Sequence, residues 1–407
     1  MINNNKAVTK KPQLTIVADS NIASLDDFFN AQALGLKCSA LDAADTKSRH
    51  SDGACEIAIA ADKTDLIAVI KVAGRDITAV LLAELQPDVL LIRSVTPVNA
   101  QLLADNHTVK FIGSATIGTD HIDQAYLQQR QIAFANAAGS SKHSVAQYVL
   151  TAILSLRPQY WQGSMTLGII GLGNIGSTLA QYAQDLGWQV LGYDPLLAQS
   201  PLNNASFEQV LSQSDVVSLH VPLTTKVANA DNNKNNNQAT SDYPTYHLID
   251  TAALALLASE TLLINSARGA VIDNAALIAD SATNRQVVLD VFEQEPQVSE
   301  ALLAKLAIAT PHIAGYSLEG KLRGTQMIYD ALCEHLGVTP TQSMQPLLPL
   351  NMYLWSELKA YPDRLHKFYD ITQDDTALRQ KLAEGQVSGA DFDNLRREYH
   401  LRREWQF

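Results

Sequence analysis

The chain has 407 residues, 46% of them hydrophobic, with a formal net charge of −12 at pH 7. That length accommodates two or three domains, each with a core of its own. The acidic balance and the lack of any long basic run exclude a nucleic-acid surface and an anionic-membrane surface.

The opening stretch, "MINNNKAVTKKPQLTIVADS", has lysines but no long apolar segment and no small-residue cleavage site. No later apolar run reaches about 18 residues. A cytoplasmic location with no membrane partner is the expectation. Cys38, Cys55 and Cys333 lie far apart, with no C-x-x-C pair and no histidine at metal-ligand spacing. This suits a reducing compartment, and all three are expected as buried thiols with no metal site.

Along the chain, runs rich in Val, Ile and Leu alternate with helical spacing. "LTIVAD" (14–19), "VLLIRS" (89–94) and "VKFIGSAT" (109–116) read as buried strands of βαβ units. "SKHSVAQYVLTAILSLRP" carries Val145, Val149, Ile153 and Leu156 on one face and stops at Pro158. It reads as a helix bridging two domains.

Next comes "MTLGIIGLGNIGSTLAQYAQDLGWQVLGYDP": a strand, the glycines Gly171, Gly173 and Gly176, a helix, and a second strand ending at Asp194. The first glycine makes the tight turn, the second lets a pyrophosphate approach the backbone, and the third permits close helix-to-strand packing. The N–H groups at the start of the helix hold the pyrophosphate. Asp194 can accept hydrogen bonds from ribose hydroxyls and would repel a 2′-phosphate, which favours NAD over NADP. Further strands follow in "SDVVSLHVPL" (214–223), "TLLINSARG" (261–269), "VVLDVFEQEP" (287–296) and "IATPHIAG" (308–315). The asparagine-rich insert 226–247 is too polar to build a core and reads as a surface loop.

Three polar residues stand just past strand ends, where an open parallel sheet binds its ligands: Arg268, Glu295 and His312. Oxidising an alcohol with a nicotinamide requires a base for the hydroxyl proton, and His312 fits that role. Glu295 is placed to bond the other ring nitrogen and fix its tautomer. Arg268 can hold a carboxylate with two parallel hydrogen bonds. Taken singly, each also reads as a salt-bridge, loop or capping residue.

Together, GLGNIG with Asp194, "NSARG", "DVFEQEP" and "TPHIAGYS" resemble the D-isomer-specific 2-hydroxyacid dehydrogenases, in which the arginine, glutamate and histidine of these motifs are catalytic. "LLIRSVTPVN", "FIGSATIGTDHID", "TPHIAGYSLEGKLRGT" and "FDNLRREYHLRREW" narrow the likeness to one branch over nearly the whole chain. The resemblance implies NAD-linked oxidation of 4-phospho-D-erythronate at C2, a step of pyridoxal 5′-phosphate synthesis. It also implies that Ser94, Thr116 and Tyr316 touch substrate. By the same resemblance Asn174, Ile175, Asp194, Val221, Ser266, Ala267, Arg268, Asp290 and Gly315 line the cofactor, Val221 through its backbone alone. Gln147 departs from the family, standing where an acid is expected. Arg93, Lys321 and Arg323 are candidates for the substrate phosphate.

The fold expected is α/β: two doubly wound parallel-sheet, Rossmann-like domains joined by helices, plus a small C-terminal α+β dimerisation domain. Residues 12–141, completed by the helix 316–337, form a substrate-binding lid, 142–311 the NAD domain, and 338–407 the part that pairs subunits into a homodimer. Closure of the lid would exclude water. Two other readings share the fold: a dehydrogenase for another 2-hydroxy acid such as 3-phosphoglycerate, and a non-catalytic NAD-sensing binding protein.

Overall fold

Strands with apolar side chains on both faces need cover on both sides, and the chain supplies it twice. The computed structural model describes residues 13–35, 58–61, 67–226, 239–281 and 285–407. These divide into unit 1, reaching Ser140 and resuming at Lys321–Leu347, and unit 2, comprising Ser141–Gly320 and Leu348–Phe407.

Unit 1 holds β1 (Leu14–Asp19), β2 (Ala58–Ala61), β3 (Ile67–Val72), β4 (Val89–Ile92), β5 (Phe111–Ser114) and β6 (Ala133–Asn136). They form one sheet in the order β2-β3-β1-β4-β5-β6. All neighbours are parallel except β2, which runs antiparallel to β3 at the edge. β1, β4 and β5 are the runs read from sequence. Val17, Leu82, Leu90, Ile92, Leu103 and Ile112 fill the core on one face. The helix Leu318–Leu336 enters this unit at Lys321, where Tyr329 packs edge-on against Phe28 at 5.3 Å and donates its hydroxyl to the Ala33 carbonyl. Cys333 is a buried thiol in that helix; Cys38 and Cys55 lie outside the described residues.

Unit 2 continues with β7 (Thr166–Ile170), β8 (Gln189–Tyr193), β9 (Val216–Leu219), β10 (Thr224–Lys226), β11 (Ala239–Ser241), β12 (Leu262–Asn265), β13 (Val287–Leu289), β14 (Val298–Ser299), β15 (Ile308–Ala309), β16 (Leu382–Ala383) and β17 (Gln386–Val387). Its main sheet has the order β15-β13-β12-β9-β7-β8, all parallel. Strand order reverses at β7, so the crevice expected to receive a ligand opens past the carboxyl ends of β7 and β9. β10 and β11 pair where the asparagine-rich insert leaves and re-enters the described chain; 227–238 lie outside the described residues.

The helix Lys142–Leu156 falls in unit 2, within the span 142–311 given to the NAD domain, and is buried on every side from Ser144 to Leu154. Its polar face is buried because Ser144, Gln147 and Thr151 each find a hydrogen-bond partner. The segment expected as a separate domain from 338 divides. Residues 338–347 stay with unit 1, while Leu348–Phe407 packs into the core of unit 2. Trp355, Leu358, Tyr369 and Trp405 join the cluster of Tyr148, Leu167 and Tyr182, and Trp355 stacks on Trp405 at 5.7 Å. This segment also closes the β15 edge. Asp375 accepts the Ala309 N–H at 2.7 Å, and Arg379 donates to the carbonyls of Leu303 and Leu306. An otherwise open edge is thereby paired.

Candidate active site

The glycine turn lies at the switch point of unit 2. Gly171 has φ +91°, and a Cβ there would come within 2.6 Å of the His220 carbonyl oxygen, at the end of β9. A Cβ on Gly176 would lie 2.0 Å from the Gly171 oxygen. Gly173 is different, because nothing stands within 4 Å of its Cβ position. Two glycines are thus demanded by the protein's own packing, and the third leaves open the face a pyrophosphate would approach. The helix Asn174–Asp185 begins there with no side-chain cap, so the N–H groups around Asn174 and Ile175 point to that face.

Asp194 follows β8. One carboxylate oxygen accepts the Leu172 N–H at 2.9 Å and the other the Leu196 N–H at 3.0 Å, which fixes the acid beside the turn with lone pairs left for ribose hydroxyls. Val221 follows β9, and Ser266 and Ala267 follow β12. Ser266 Oγ is buried and meets no hydrogen-bond partner among the described residues. An orphaned hydroxyl and an uncovered glycine at one sheet edge suit a polar ligand of dinucleotide type.

His220 underlies the same edge. Burial pushes its pKa from 6.5 down to about 3, so the ring stays neutral in the fold. The unfolded chain takes up a proton below pH 6.5 that the folded chain refuses, and stability therefore falls as pH drops from 6.5 toward 3. At pH 5 the loss from this group is about 2 kcal/mol. Urea unfolding at pH 7 and pH 5 should show that loss in the wild type and its absence in His220→Asn.

Arg268, Glu295 and His312 come together through three loops of unit 2. Asn265 donates to the Arg268 carbonyl at 2.9 Å, and Arg268 Nη1 donates to Ala267 O at 2.7 Å. The next residue, Gly269, is pressed onto the Glu295 loop: a Cβ there would lie 1.9 Å from the carbonyl carbon of Phe292. That loop is held from its other side, where Asn274 and Glu293 exchange hydrogen bonds and His247 Nε2 lies 2.7 Å from Glu293 Oε1. Glu295 accepts the Phe292 N–H on one oxygen and faces His312 Nδ1 at 2.8 Å with the other. Burial works against charge on Glu295, yet the His312 ring, the Phe292 N–H and Arg396 outweigh it and hold the carboxyl below its ordinary range. An ionised carboxylate only accepts, so Nδ1 carries the proton and Nε2 is left with a lone pair. The His312 side chain is 33% exposed, enough for a substrate hydroxyl to reach it.

His312 has φ +56°, a left-handed backbone that a histidine holds only when its surroundings enforce it. Asp290 does so. Its carbonyl accepts the His312 N–H at 2.8 Å, and its carboxylate accepts the N–H groups of Ile313 and Ala314 at 2.8 and 2.9 Å and the Thr310 hydroxyl at 2.6 Å. Burial pushes this carboxyl up, against the opposing pull of His312, Thr310 and the two N–H groups. Asp290, expected to line the cofactor, is buried and braces the histidine turn. Gly315 closes the turn near Ser141, and Tyr316 follows, flanked by the Arg396 guanidinium at 5.8 Å and the Tyr399 ring at 6.0 Å.

Exchanging Glu295 for glutamine keeps the shape but removes the charge that fixes the tautomer. Glu295→Gln is expected to lower kcat/KM about 10- to 100-fold while NAD affinity stays as in the wild type, measured by steady-state kinetics and cofactor titration.

In unit 1, Ser94 and Thr116 lie just past the carboxyl ends of β4 and β5, with Thr116 Oγ1 2.8 Å from Ser114 Oγ. Of the phosphate candidates, Arg93 is paired with buried Asp19 at 3.1 Å and Arg323 donates to the Ser140 carbonyl. Sequence reasoning missed Asp290 as a brace and noted Gln147 without its role: the amide accepts the Trp405 N–H at 2.9 Å and donates to the Trp405 carbonyl at 3.0 Å. An acid there could not make the second bond.

Residues 155–314 match the model of the D-isomer specific 2-hydroxyacid dehydrogenase NAD binding domain, and 354–407 match a domain of unknown function, DUF3410. The chain is 66% identical over 401 residues to an erythronate-4-phosphate dehydrogenase of Psychrobacter cryohalolentis, covering 97% of each chain. It is 67% identical to one of Psychrobacter arcticus, covering 97% of this chain and 99% of that one. Among solved structures, the apo D-mandelate dehydrogenase of Rhodotorula graminis superposes with a TM-score of 0.60 at 22% identity, over 81% of this chain and 97% of that one, a likeness of fold. With the glycine turn, Asp194 and the loops of Arg268, Glu295 and His312 in place, the chain belongs to the erythronate-4-phosphate dehydrogenases of the D-isomer-specific 2-hydroxyacid dehydrogenase family, with an NAD-binding domain.

Proposed function

We propose that the protein oxidises 4-phospho-D-erythronate at C2 to 2-oxo-3-hydroxy-4-phosphobutanoate with NAD, in pyridoxal 5′-phosphate synthesis. The observation that carries the chemistry is the 2.8 Å contact of Glu295 with His312 Nδ1, which leaves Nε2 free to accept a proton. The substrate comes from the names of the relatives. When bound, NAD accepts the hydride from C2. His312 Nε2 takes the proton of the C2 hydroxyl as the carbonyl forms, and Glu295 stabilises the resulting imidazolium. Arg268 pairs with the C1 carboxylate and polarises the developing ketone. Ser94, Thr116 and Tyr316 offer hydroxyls to the polyol chain.

The reading includes a cytoplasmic homodimer. Exposed Leu350, Met352, Leu354 and Phe407 of the C-terminal segment support it, as apolar surface that pairing would cover. No helix among the described residues is long and apolar enough to cross a membrane. The test is NADH formation from NAD and 4-phospho-D-erythronate, with a carbonyl trap and with 3-phosphoglycerate run in parallel. Turnover of the erythronate alone is the expected result. Preference for 3-phosphoglycerate would overturn the substrate, and tight NAD binding without turnover of either would overturn the enzyme reading.

A further inference from the structure

The two residues that follow His312, Ile313 and Ala314, have their backbones held from opposite sides. Their N–H groups are taken by Asp290, and their carbonyls, Ile313 O and Ala314 O, both accept from one guanidinium, that of Arg402. Arg402 Nη2 also donates to the carbonyl and hydroxyl of Ser144, at 3.2 and 3.0 Å, and that hydroxyl donates in turn to Ala314 O at 2.8 Å. The guanidinium plane lies 4.5 Å over the Tyr369 ring, and Nη1 reaches the Tyr399 hydroxyl at 3.3 Å. Both tyrosines donate to Asp374.

We propose that Arg402, in the C-terminal segment whose family model has no assigned function, is a positioning residue for the reaction: it fixes the left-handed turn that aims His312. The proposal rests on His312 being the base. Arginine suits the task because its planar fork spans two successive carbonyls, which a lysine ammonium cannot do at once.

Docking of the C-terminal tail does not depend on these bonds. Arg403 pairs with Glu319 at 2.7 Å, Glu404 accepts the Ser317 hydroxyl at 2.9 Å and gives its N–H to Glu319, and Gln147 grips the Trp405 backbone. Removing the Arg402 fork therefore leaves the tail in place and frees the carbonyls after His312. A base displaced by about 1 Å loses on the order of 10²-fold in rate.

The test compares wild-type enzyme with Arg402→Lys, Arg402→Gln and Arg403→Ala, measuring kcat, KM for NAD and Tm, with His312→Ala alongside. The expected result is a fall in kcat of about 10²-fold for both Arg402 variants at unchanged KM for NAD. Arg403→Ala should lower Tm and leave kcat unchanged. Wild-type kcat in Arg402→Lys and Arg402→Gln would overturn the assignment. So would a loss that tracks Tm and recurs in Arg403→Ala, because that pattern means tail docking alone. Should neither Arg402 variant fold, Ser144→Ala decides, since it removes only the hydroxyl shared by Arg402 and Ala314 O. A fall in kcat at unchanged KM for NAD then supports the assignment, and wild-type kcat overturns it. An active His312→Ala enzyme would overturn the functional reading itself. An inactive one beside a fully active Arg402→Lys sinks the positioning role alone.

Discussion

His312→Ala is expected to lower kcat/KM for 4-phospho-D-erythronate by ~10²–10⁴-fold, the range a positioned general base supplies. The loss should fall on kcat. Gly171, Gly173, Asp194 and Ser266 lie on other loops, so NAD affinity is expected to stay at the wild-type level. Alanine at 312 also removes the ring that Glu295 faces, leaving a partly buried carboxylate that keeps its hydrogen bond from the Phe292 N–H but loses its histidine partner. Some loss of stability is therefore expected beside the larger kinetic loss. A variant with wild-type kcat would remove His312 from the chemistry.

The second large effect comes from a residue with no functional group. Gly269 sits between Arg268 and the loop of Glu295, and its Cβ position lies 1.9 Å from Phe292 C, 2.0 Å from Phe292 O and 2.5 Å from Glu293 N. All three are backbone atoms, so no side chain can swing aside. Gly269→Ala must push the two loops apart. Stability is expected to drop by about 3 kcal/mol or more, the upper end for overpacked sites. Activity should fall by on the order of 10²-fold or more in the protein that remains folded, because Arg268 moves relative to the His312–Glu295 pair. Urea unfolding and active-site-normalised kinetics measure the two losses separately. Wild-type stability together with wild-type kcat would show that the loops are not coupled there.

How far the sequence spoke depended on how local each signal was. The glycine turn was legible because three glycines, a helix and a terminal acid sit in one βαβ unit. The grouping of Arg268, Glu295 and His312 on neighbouring loops was legible because each follows a strand in sequence as it does in space. Other features were hidden by distance or by burial. The short antiparallel β2 lies between stretches outside the described residues, and its AIAA run carries a single strong β-former, Ile59, among alanines. The helix Lys142–Leu156 looked one-sided because Ser144, Gln147 and Thr151 interrupt its apolar pattern, yet each is buried with a partner. The part Asp290 plays in bracing the turn was hidden as well, because its carboxylate accepts from backbone two dozen residues on. The C-terminal segment showed scattered aromatics and charges with no period. Their meaning lies in partners about 90 to 260 positions away, as for Arg402 with Ile313 and Trp405 with Gln147. Periodicity cannot report such pairs.

The central claim is that a hydride passes from C2 of the phosphorylated acid to NAD while His312 takes the hydroxyl proton. The most direct measurement uses 4-phospho-D-erythronate deuterated at C2 and follows the label by mass spectrometry of the reduced cofactor. One deuterium per NADH formed, together with a 2-oxo product, is the expected outcome. Unlabelled NADH would place the oxidation at another carbon, and no NADH at all would contradict the account of this chain as a dehydrogenase of that acid.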